Sequence, residues 1–316
     1  MARTFQFSRL SPSGQKQPIE RSQLIHAYAG SGNELARAKR LADELLRSRP
    51  NSGYAQTLAA EAMSTWRLDQ SGRPTELRDQ IVALCDEALK LNPTLAQAHV
   101  AKGRALLRAS MYGPANVSID AALAIDPGLA GAIFLRAEIF RRTGHVEAAE
   151  QWYRRFIGAT PSRGRKSNGY YWIGKTYQDA ADVDTANRAS YVAQARKAYE
   201  QMLAVEPDGA WRNVNFAIFL NEYAADFVGA ERYAQIALEM MEFPMARYHL
   251  AAARYQKLWA DPTVTPGEVL NDAVRQVATT TGVSLAQAIS FPSFSSSLRN
   301  RLQELRARVS SPSSIQ

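Results

Sequence analysis

The chain has 316 residues, of which 46% are hydrophobic and 22% charged, and a formal net charge of +8 at pH 7. This composition is typical of a helix-rich chain, and it contains no apolar stretch near the ~20 residues needed to cross a bilayer. A single cysteine, Cys85, excludes an internal disulfide and a cysteine-based zinc cluster, and the positive charge weakly favours acidic partners.

The first 18 residues carry Arg3, Arg9 and Lys16 but lack the continuous apolar core of a secretory signal. We therefore expect a disordered leader over residues 1–18 rather than a transit peptide. Together with the single cysteine, which suits a reducing compartment, this favours a cytoplasmic protein.

Prolines mark a regular period along the next part of the chain. Pro93, Pro127 and Pro161 follow one another at intervals of 34 residues, and Pro207 closes a further run. Each proline ends an Ala-rich amphipathic segment, because proline offers no amide donor and steers the preceding residue out of the α region. Twelve residues before three of these prolines stands a small residue that predicts a helix seam: Ala115, Ala149 and Ala195.

With A-x3-F and a helix-ending proline every 34 residues, the chain resembles the tetratricopeptide repeat family, whose unit is an antiparallel helix pair. The first-helix signature W-x2-L-G-x2-Y is matched best by Tyr170, Ile173, Gly174 and Tyr177. Gly103 and Ala137 take the place of Gly174 in two other repeats. We expect these residues to be small because the two helices of a hairpin cross there.

The resemblance covers roughly residues 20–260, and it implies an all-α fold, a right-handed α-solenoid of about six helix hairpins. We expect this solenoid over residues 19–260. Two proline intervals are longer than the period, 43 residues before Pro93 and 46 before Pro207. They predict insertions near Asp69–Arg78 and Gln178–Ser190, in loops or lengthened helices.

The pattern is less regular after Pro207. A further helix pair is predicted over residues 210–243, a helical cap over residues 261–309 and a disordered tail over residues 310–316. The last helix, near Ser296–Val309, carries an apolar stripe that includes Leu298 and Leu302. Docking of this stripe onto the preceding repeat is the preferred interpretation, since solenoid ends need covering. A dimer through this helix, or contact with an anionic membrane, is the alternative.

One sequence motif suggests phosphate binding. Gly169, Gly174, Lys175 and Thr176 satisfy the G-x4-G-K-[ST] pattern of a phosphate-binding loop. Such a loop needs a preceding strand and free backbone amides, whereas bulky residues of a predicted helix lie between these glycines. The four histidines are dispersed without ligand spacing, and no nucleophile motif is present. We therefore expect no catalysis, no cofactor and no metal.

In tetratricopeptide repeat proteins the first helices line a concave groove that binds a peptide. Carried over to this chain, the resemblance selects a mixed cationic and aromatic set: Arg104, Arg108, Phe134, Arg141, Asn168, Tyr171 and Lys175. Such a surface would pair with carboxylates and stack on an extended or helical segment. The competing interpretation is that the arginines only keep an Ala-rich chain solvated.

The function expected from these features is that of a protein-interaction scaffold or adaptor, binding an acidic or amphipathic segment of another protein in the groove. RNA binding through the basic and aromatic groove is the alternative, since related helical repeats read bases one repeat at a time. Against it, the positive charges form no single dense stripe.

Overall fold

The computed structural model describes residues 43–44, 46–49, 51–64, 74–264 and 267–310, and all regular structure within these ranges is helical. The helices are α1 Gly53–Ser64, α2 Pro74–Leu91, α3 Ala96–Arg108, α4 Tyr112–Ile125, α5 Ala130–Arg142, α6 Val146–Ala159, α7 Arg163–Val183, α8 Arg188–Val205, α9 Ala210–Glu222, α10 Phe227–Met240, α11 Pro244–Ala260, α12 Glu268–Thr281, α13 Leu285–Ser290 and α14 Ser296–Ser310. The predicted leader, residues 69–73 of the first insertion and residues 311–316 lie outside the described residues. The all-α fold is confirmed.

The described residues form two compact units, one that ends at Arg155 and one that begins at Phe156. In the first unit α1 pairs with α2, and α3 pairs with α4. In the second unit α7 pairs with α8 and α9 with α10, and α11 then packs on α10 and on the helices that follow it. Both units are therefore built from hairpins of consecutive helices.

Small residues stand where the paired helices approach each other. A Cβ atom added to Gly103 would lie 3.0 Å from the Ile119 side chain on α4, and one added to Gly174 would lie 2.8 Å from the Tyr199 ring on α8. Ala137 is fully buried. The alanines of the predicted second-helix seam are also fully buried: Ala115, Ala149 and Ala195. The absence of a larger side chain lets each helix pack directly on its neighbour.

The periodic prolines lie in the connections between hairpins. Asp126 and Glu206 stand between a helix end and the following proline, and both have non-helical backbone angles. The Asp126 carboxylate accepts a hydrogen bond from the Gly128 amide at 2.9 Å, which closes the turn around Pro127. Pro93, Pro161 and Pro207 likewise follow helix ends. These prolines thus separate one helix pair from the next.

The second insertion lengthens two helices. α7 has 21 residues and α8 has 18, whereas α3 has 13 and α4 has 14. Only residues 184–187 connect α7 to α8, and the Asp184 carboxylate accepts hydrogen bonds from both the amide and the side chain of Asn187.

The C-terminal helices share one apolar core with α11. Leu298, Leu302 and Leu305 of α14 are fully buried in a cluster that also contains Tyr255 of α11 and Leu270 of α12. This core crosses the predicted boundary at residue 260. The apolar stripe of α14 is therefore packed within the chain, as the preferred interpretation of the sequence predicts, and a dimer through this helix stays a prediction.

Arginines of α14 also help to hold this helix against the neighbouring parts of the chain. Arg299 donates to the carbonyls of Ile289, Phe291 and Phe294, at 3.0 to 3.2 Å. Arg308 donates to the Trp259 carbonyl at 2.9 Å. Because these guanidinium groups satisfy carbonyls at chain turns and helix ends, they stabilise the cap rather than offering a basic surface. Within the described ranges, no helix combines the length and apolar character that a bilayer-crossing segment needs.

Replacing Gly174 by alanine tests the close approach of α7 and α8. The new methyl group must displace the buried Tyr199 ring, so we expect Gly174→Ala to lower the free energy of unfolding by about 1 to 3 kcal/mol in chemical denaturation. Gly158→Ala is the matched control, because a Cβ atom there meets nothing within 4 Å. The control should be neutral, or stabilising by up to about 1 kcal/mol. Equal effects of the two substitutions would contradict the packing described.

Candidate functional site

Four arginines lie together on two helices of the first unit. Arg104 and Arg108 are one turn apart on α3, and Arg141 and Arg142 end α5. The opposite side of α3 is apolar and buried, which leaves Arg104 and Arg108 half-buried at the surface. We call Arg104, Arg108, Arg141 and Arg142 the arginine cluster.

A buried carboxylate orders part of this cluster. Glu138 is 5% exposed, and Arg141 donates to its two oxygens from Nε at 3.0 Å and from Nη2 at 3.2 Å. The Nε of Arg142 lies 3.5 Å from the same carboxylate. The hydroxyl of buried Tyr153 also donates to Glu138, and the Phe134 ring packs edge-on against the Tyr153 ring, 5.8 Å away. The paired Arg141 side chain is only 13% exposed.

The arginines of the cluster also repel one another. Burial, together with repulsion from Arg104 and Arg142, lowers the pKa of Arg108 to about 10. Arg108 is still cationic at neutral pH, but its charged form is less favourable than in water. Arg142 also donates from Nη1 to the Leu107 carbonyl at 3.4 Å, which ties α5 to α3.

Sequence reasoning placed Arg104, Phe134, Glu138 and Arg141 at groove positions, with Arg108 and Arg142 one step further along, but it did not predict that Glu138 pairs with the arginines. Glu138 precedes Arg141 by three residues and Arg142 by four, a spacing that places these side chains on one helix face. This spacing is the sequence feature from which the pairing of Glu138 with the two arginines could have been predicted. The contact with Tyr153 joins two helices, so no spacing within one helix could reveal it.

In the second unit, the predicted residues divide between two roles. Asn168 accepts a hydrogen bond from Arg212 at 3.3 Å, and Arg212 also donates to Glu206 at 2.9 Å, so Asn168 helps to join α7 to α9. Lys175 lies 3.7 Å from the Asp179 carboxylate and is 32% exposed. Asn168 therefore has a structural role, whereas Lys175 offers a partly exposed charge.

Tyr171 belongs to an aromatic surface shared by α7 and α9. Its ring lies edge-on to Trp172 at 5.1 Å and to Trp211 at 5.5 Å, and Trp211 is 56% exposed. We call Tyr171, Trp172 and Trp211 the aromatic face. Trp211 was missed because the groove positions were carried only as far as the repeat that contains Tyr171. The sequence feature that could have revealed Trp211 is its position near the start of α9, the first helix of the next hairpin.

Acids accompany the cations of the second unit. Burial raises the pKa of Glu222, even though the Ser295 amide donates to its carboxylate at 3.2 Å and Arg301 and Lys175 attract its charge. Asp182 accepts a hydrogen bond from Tyr223 at 2.7 Å. The charge pattern is therefore mixed in this unit.

The phosphate-loop pattern lies entirely within helix α7. Gly169 packs against the Ile157 side chain, which occupies the space that a Cβ atom would need. Gly174 faces Tyr199 in the same way. Backbone amides inside a helix are already hydrogen-bonded, so this segment cannot surround phosphates as the pattern requires.

Other titratable groups lie in packed surroundings. Burial raises the pKa of the Cys85 thiol to about 12, so this residue behaves as the small buried hydrophobe that the sequence predicts. Burial also lowers the pKa of His249 to about 3, and the half-buried His99 has a lowered pKa for the same reason. Among the described residues, no three His, Cys, Asp or Glu side chains form a group that could hold a metal ion.

No protein-family model and no curated protein matches the chain. Among solved structures, Pseudomonas aeruginosa PilF is similar over 81% of this chain and 98% of its own, with 17% sequence identity and a TM-score of 0.54. A monomeric mutant of IFIT1 with m7Gppp-AAAA is similar over 92% of this chain and 70% of its own, with 16% identity and a TM-score of 0.55. The human IFIT1 dimer with PPP-AAAA is similar over 91% of this chain and 69% of its own, with 16% identity and a TM-score of 0.52.

These proteins are tetratricopeptide repeat proteins. Sequence identities this low establish the fold alone. The chain therefore has a fold of tetratricopeptide-type helix hairpins, as the proline period and the Gly174 signature predict.

Removing the Tyr153 hydroxyl tests how the buried acid is held. Tyr153→Phe preserves the ring packing on Phe134 but deletes a hydrogen bond to a charged acceptor, so we expect a loss of about 1.5 to 3 kcal/mol in the free energy of unfolding. Tyr112→Phe is the control, because the hydroxyl of Tyr112 makes no hydrogen bond within the described part of the chain. A Tyr153→Phe protein as stable as this control would contradict the assigned contact.

Proposed function

We propose that this chain is an interaction scaffold that binds an acidic or amphipathic segment of another protein on the surfaces of its first helices. The arginine cluster carries this proposal, because α3 and α5 bring four guanidinium groups to one surface of the first unit. Guanidinium groups bind carboxylates through paired hydrogen bonds, which gives both affinity and orientation.

Rigidity supports recognition of a peptide. Arg141 and Arg142 are ordered by Glu138 before any partner arrives. A surface that is already ordered loses less side-chain entropy on binding than a flexible one. In the second unit, the exposed Trp211 and its neighbour Tyr171 offer apolar area for the non-polar side of a partner segment.

We also propose that this recognition is the activity of the chain, and that it catalyses no reaction. Cys85, Tyr153 and His249, three groups with displaced pKa values, are buried. They are packed against neighbours rather than grouped at an open surface. A general acid or base needs access to a substrate as well as a displaced pKa.

RNA is the alternative partner. Arginine and aromatic side chains bind phosphates and stack on bases, and IFIT1, which shares the fold, has solved structures with m7Gppp-AAAA and with PPP-AAAA. We favour a protein segment because Asp179, Asp182 and Glu222 accompany Lys175 in the second unit. Carboxylates at such a surface repel a phosphate backbone, which is charged at every nucleotide, whereas they do not repel the uncharged side of an amphipathic segment.

The test compares the double variant Arg104→Gln/Arg108→Gln with Arg154→Gln/Arg275→Gln, which removes the same charge from exposed ion pairs elsewhere. Arg141 is left intact because replacing it would leave buried Glu138 without its main partner. The probe is a fluorescent pool of degenerate peptides with three fixed glutamates, measured by anisotropy. We expect the cluster variant to bind at least about tenfold more weakly than wild type, since hydrogen bonds to charged groups contribute 1.5 to 3 kcal/mol each.

The control variant should bind this pool like wild type. Equal binding by both variants would contradict the proposal. A mixed-sequence RNA oligonucleotide that binds with a steep inverse dependence on salt, in the absence of peptide binding, would instead establish the RNA alternative.

A further inference from the structure

One side of helix α10, in the second unit, carries apolar and charged side chains that are open to solvent. Val228 is 69% exposed, and Arg232, Gln235 and Glu239 are also exposed. These four residues recur at intervals of four, three and four, which places them on one side of the helix. They line a concavity of about 390 Å³, which can receive side chains of a facing helix. We call this surface the α10 face: Val228, Arg232, Gln235, Ile236 and Glu239.

The two charges of the α10 face have no ion-pair partner within the described part of the chain. No acid stands three or four residues from Arg232 along the sequence, and no base stands at these distances from Glu239. The neighbouring acid, Glu231, instead pairs with Arg254 and Lys257 of α11, at 2.8 and 2.9 Å. A charge that is exposed and unpaired in its own chain is available to an opposite charge on another chain.

Arg232 and Glu239 cannot pair with each other on one helix. Glu239 follows Arg232 by seven residues, which is about 10 Å along the helix axis, whereas an ion pair needs about 4 Å. Two copies of α10 that lie antiparallel remove this separation. When the twofold axis passes between Gln235 and Ile236, Arg232 of each copy lies opposite Glu239 of the other. Val228 is then covered by the C-terminal end of the second α10.

A surface that binds its own copy must be complementary to itself under a twofold rotation. The α10 face meets this condition, because one base and one acid stand at equal distances from its centre and the uncharged Gln235 and Ile236 stand at the centre. We propose that two copies of this chain associate through their α10 faces as an antiparallel twofold dimer. This surface is separate from the apolar stripe of α14, whose leucines pack within the chain. The dimer goes beyond the proposed function and does not depend on the ligand of the arginine cluster.

Sedimentation velocity of the full chain from about 1 to 200 μM measures this association, since that range covers weak and transient interfaces. We expect wild type to change from monomer to dimer across the range. Arg232→Glu and Glu239→Arg should each weaken the dimer by at least about tenfold, because each reversal replaces two attractive pairs with two repulsive ones across the twofold axis. Added salt should weaken the wild-type dimer, because exposed ion pairs are screened.

A mixture of the two charge reversals tests the antiparallel pairing itself. Arg232→Glu leaves two acids on the α10 face and Glu239→Arg leaves two bases, so each variant repels its own copy and attracts the other variant. We therefore expect an equimolar mixture to associate at least as tightly as wild type, although neither variant does so alone. The double variant Arg232→Glu/Glu239→Arg, in which the charges are exchanged, should associate like wild type.

The matched controls are Arg275→Glu and Asp272→Arg, which make the same changes at an exposed ion pair of α12. Each control should associate like wild type, alone and in the mixture. Circular dichroism checks that every variant is helical. If a single reversal is unfolded, the double variant still decides the inference, because its exchanged charges must restore the dimer.

Three results overturn the inference. The first is a wild type that stays monomeric over the whole concentration range, which would leave the α10 face to a helix of another protein. The second is a dimer that the reversals on α10 do not weaken more than the controls on α12. The third is a loss of the dimer in both reversals without recovery in their mixture or in the double variant. Recovery in the mixture, with unchanged controls, supports the dimer.

Discussion

The close approach of two helices at a residue without a large side chain is the constraint on which both units depend. At Gly103 the neighbouring helix brings Ile119, and at Gly174 it brings the Tyr199 ring, each near enough to exclude a larger substituent. This contact sets the distance between the helices of a pair and the rotation of each about its axis. This distance and this rotation determine where the other side chains of the hairpin point.

The candidate binding residues follow directly from this geometry. Arg104 comes one residue after Gly103, Glu138 one residue after Ala137 and Lys175 one residue after Gly174. A step of one residue along a helix turns the side chain by about 100°, away from the packed seam. Successive repeats therefore present equivalent positions beside their seams. In the first unit these positions carry Arg104 and Glu138, and Glu138 pairs with Arg141 and Arg142. The packing of the helices therefore determines where these charges lie.

Much of the fold could be predicted from the sequence because its determinants are local. The proline period marks the hairpin connections, and the small residues mark the helix crossings. The structural role of Asn168 could not be predicted, because its partner Arg212 comes from a later helix and the long side chain of Arg212 could have pointed elsewhere. The fate of the second insertion was equally open, since a helical pattern near Gln178 is compatible with a loop or a longer helix.

The candidate site was predictable in its cations but not in its organisation. Arg104 and Arg141 occupy groove positions that the family resemblance implies, and Arg108 and Arg142 lie one step further along. Their pairing with Glu138 required knowing which side chains meet, and the Tyr153 contact required knowing how α6 packs on α5. The leucine stripe of α14 shows the same limit, because an amphipathic helix alone does not reveal whether its apolar side meets its own chain or another.

The most direct test of the hairpin packing is a nuclear Overhauser measurement on selectively labelled protein. The account predicts cross-peaks between the Gly174 α protons and the Tyr199 ring protons, and between the Gly103 α protons and the Ile119 methyl groups. Their absence, in a folded helical protein with both residue pairs assigned, would contradict the packing on which the arginine cluster and the aromatic face are built.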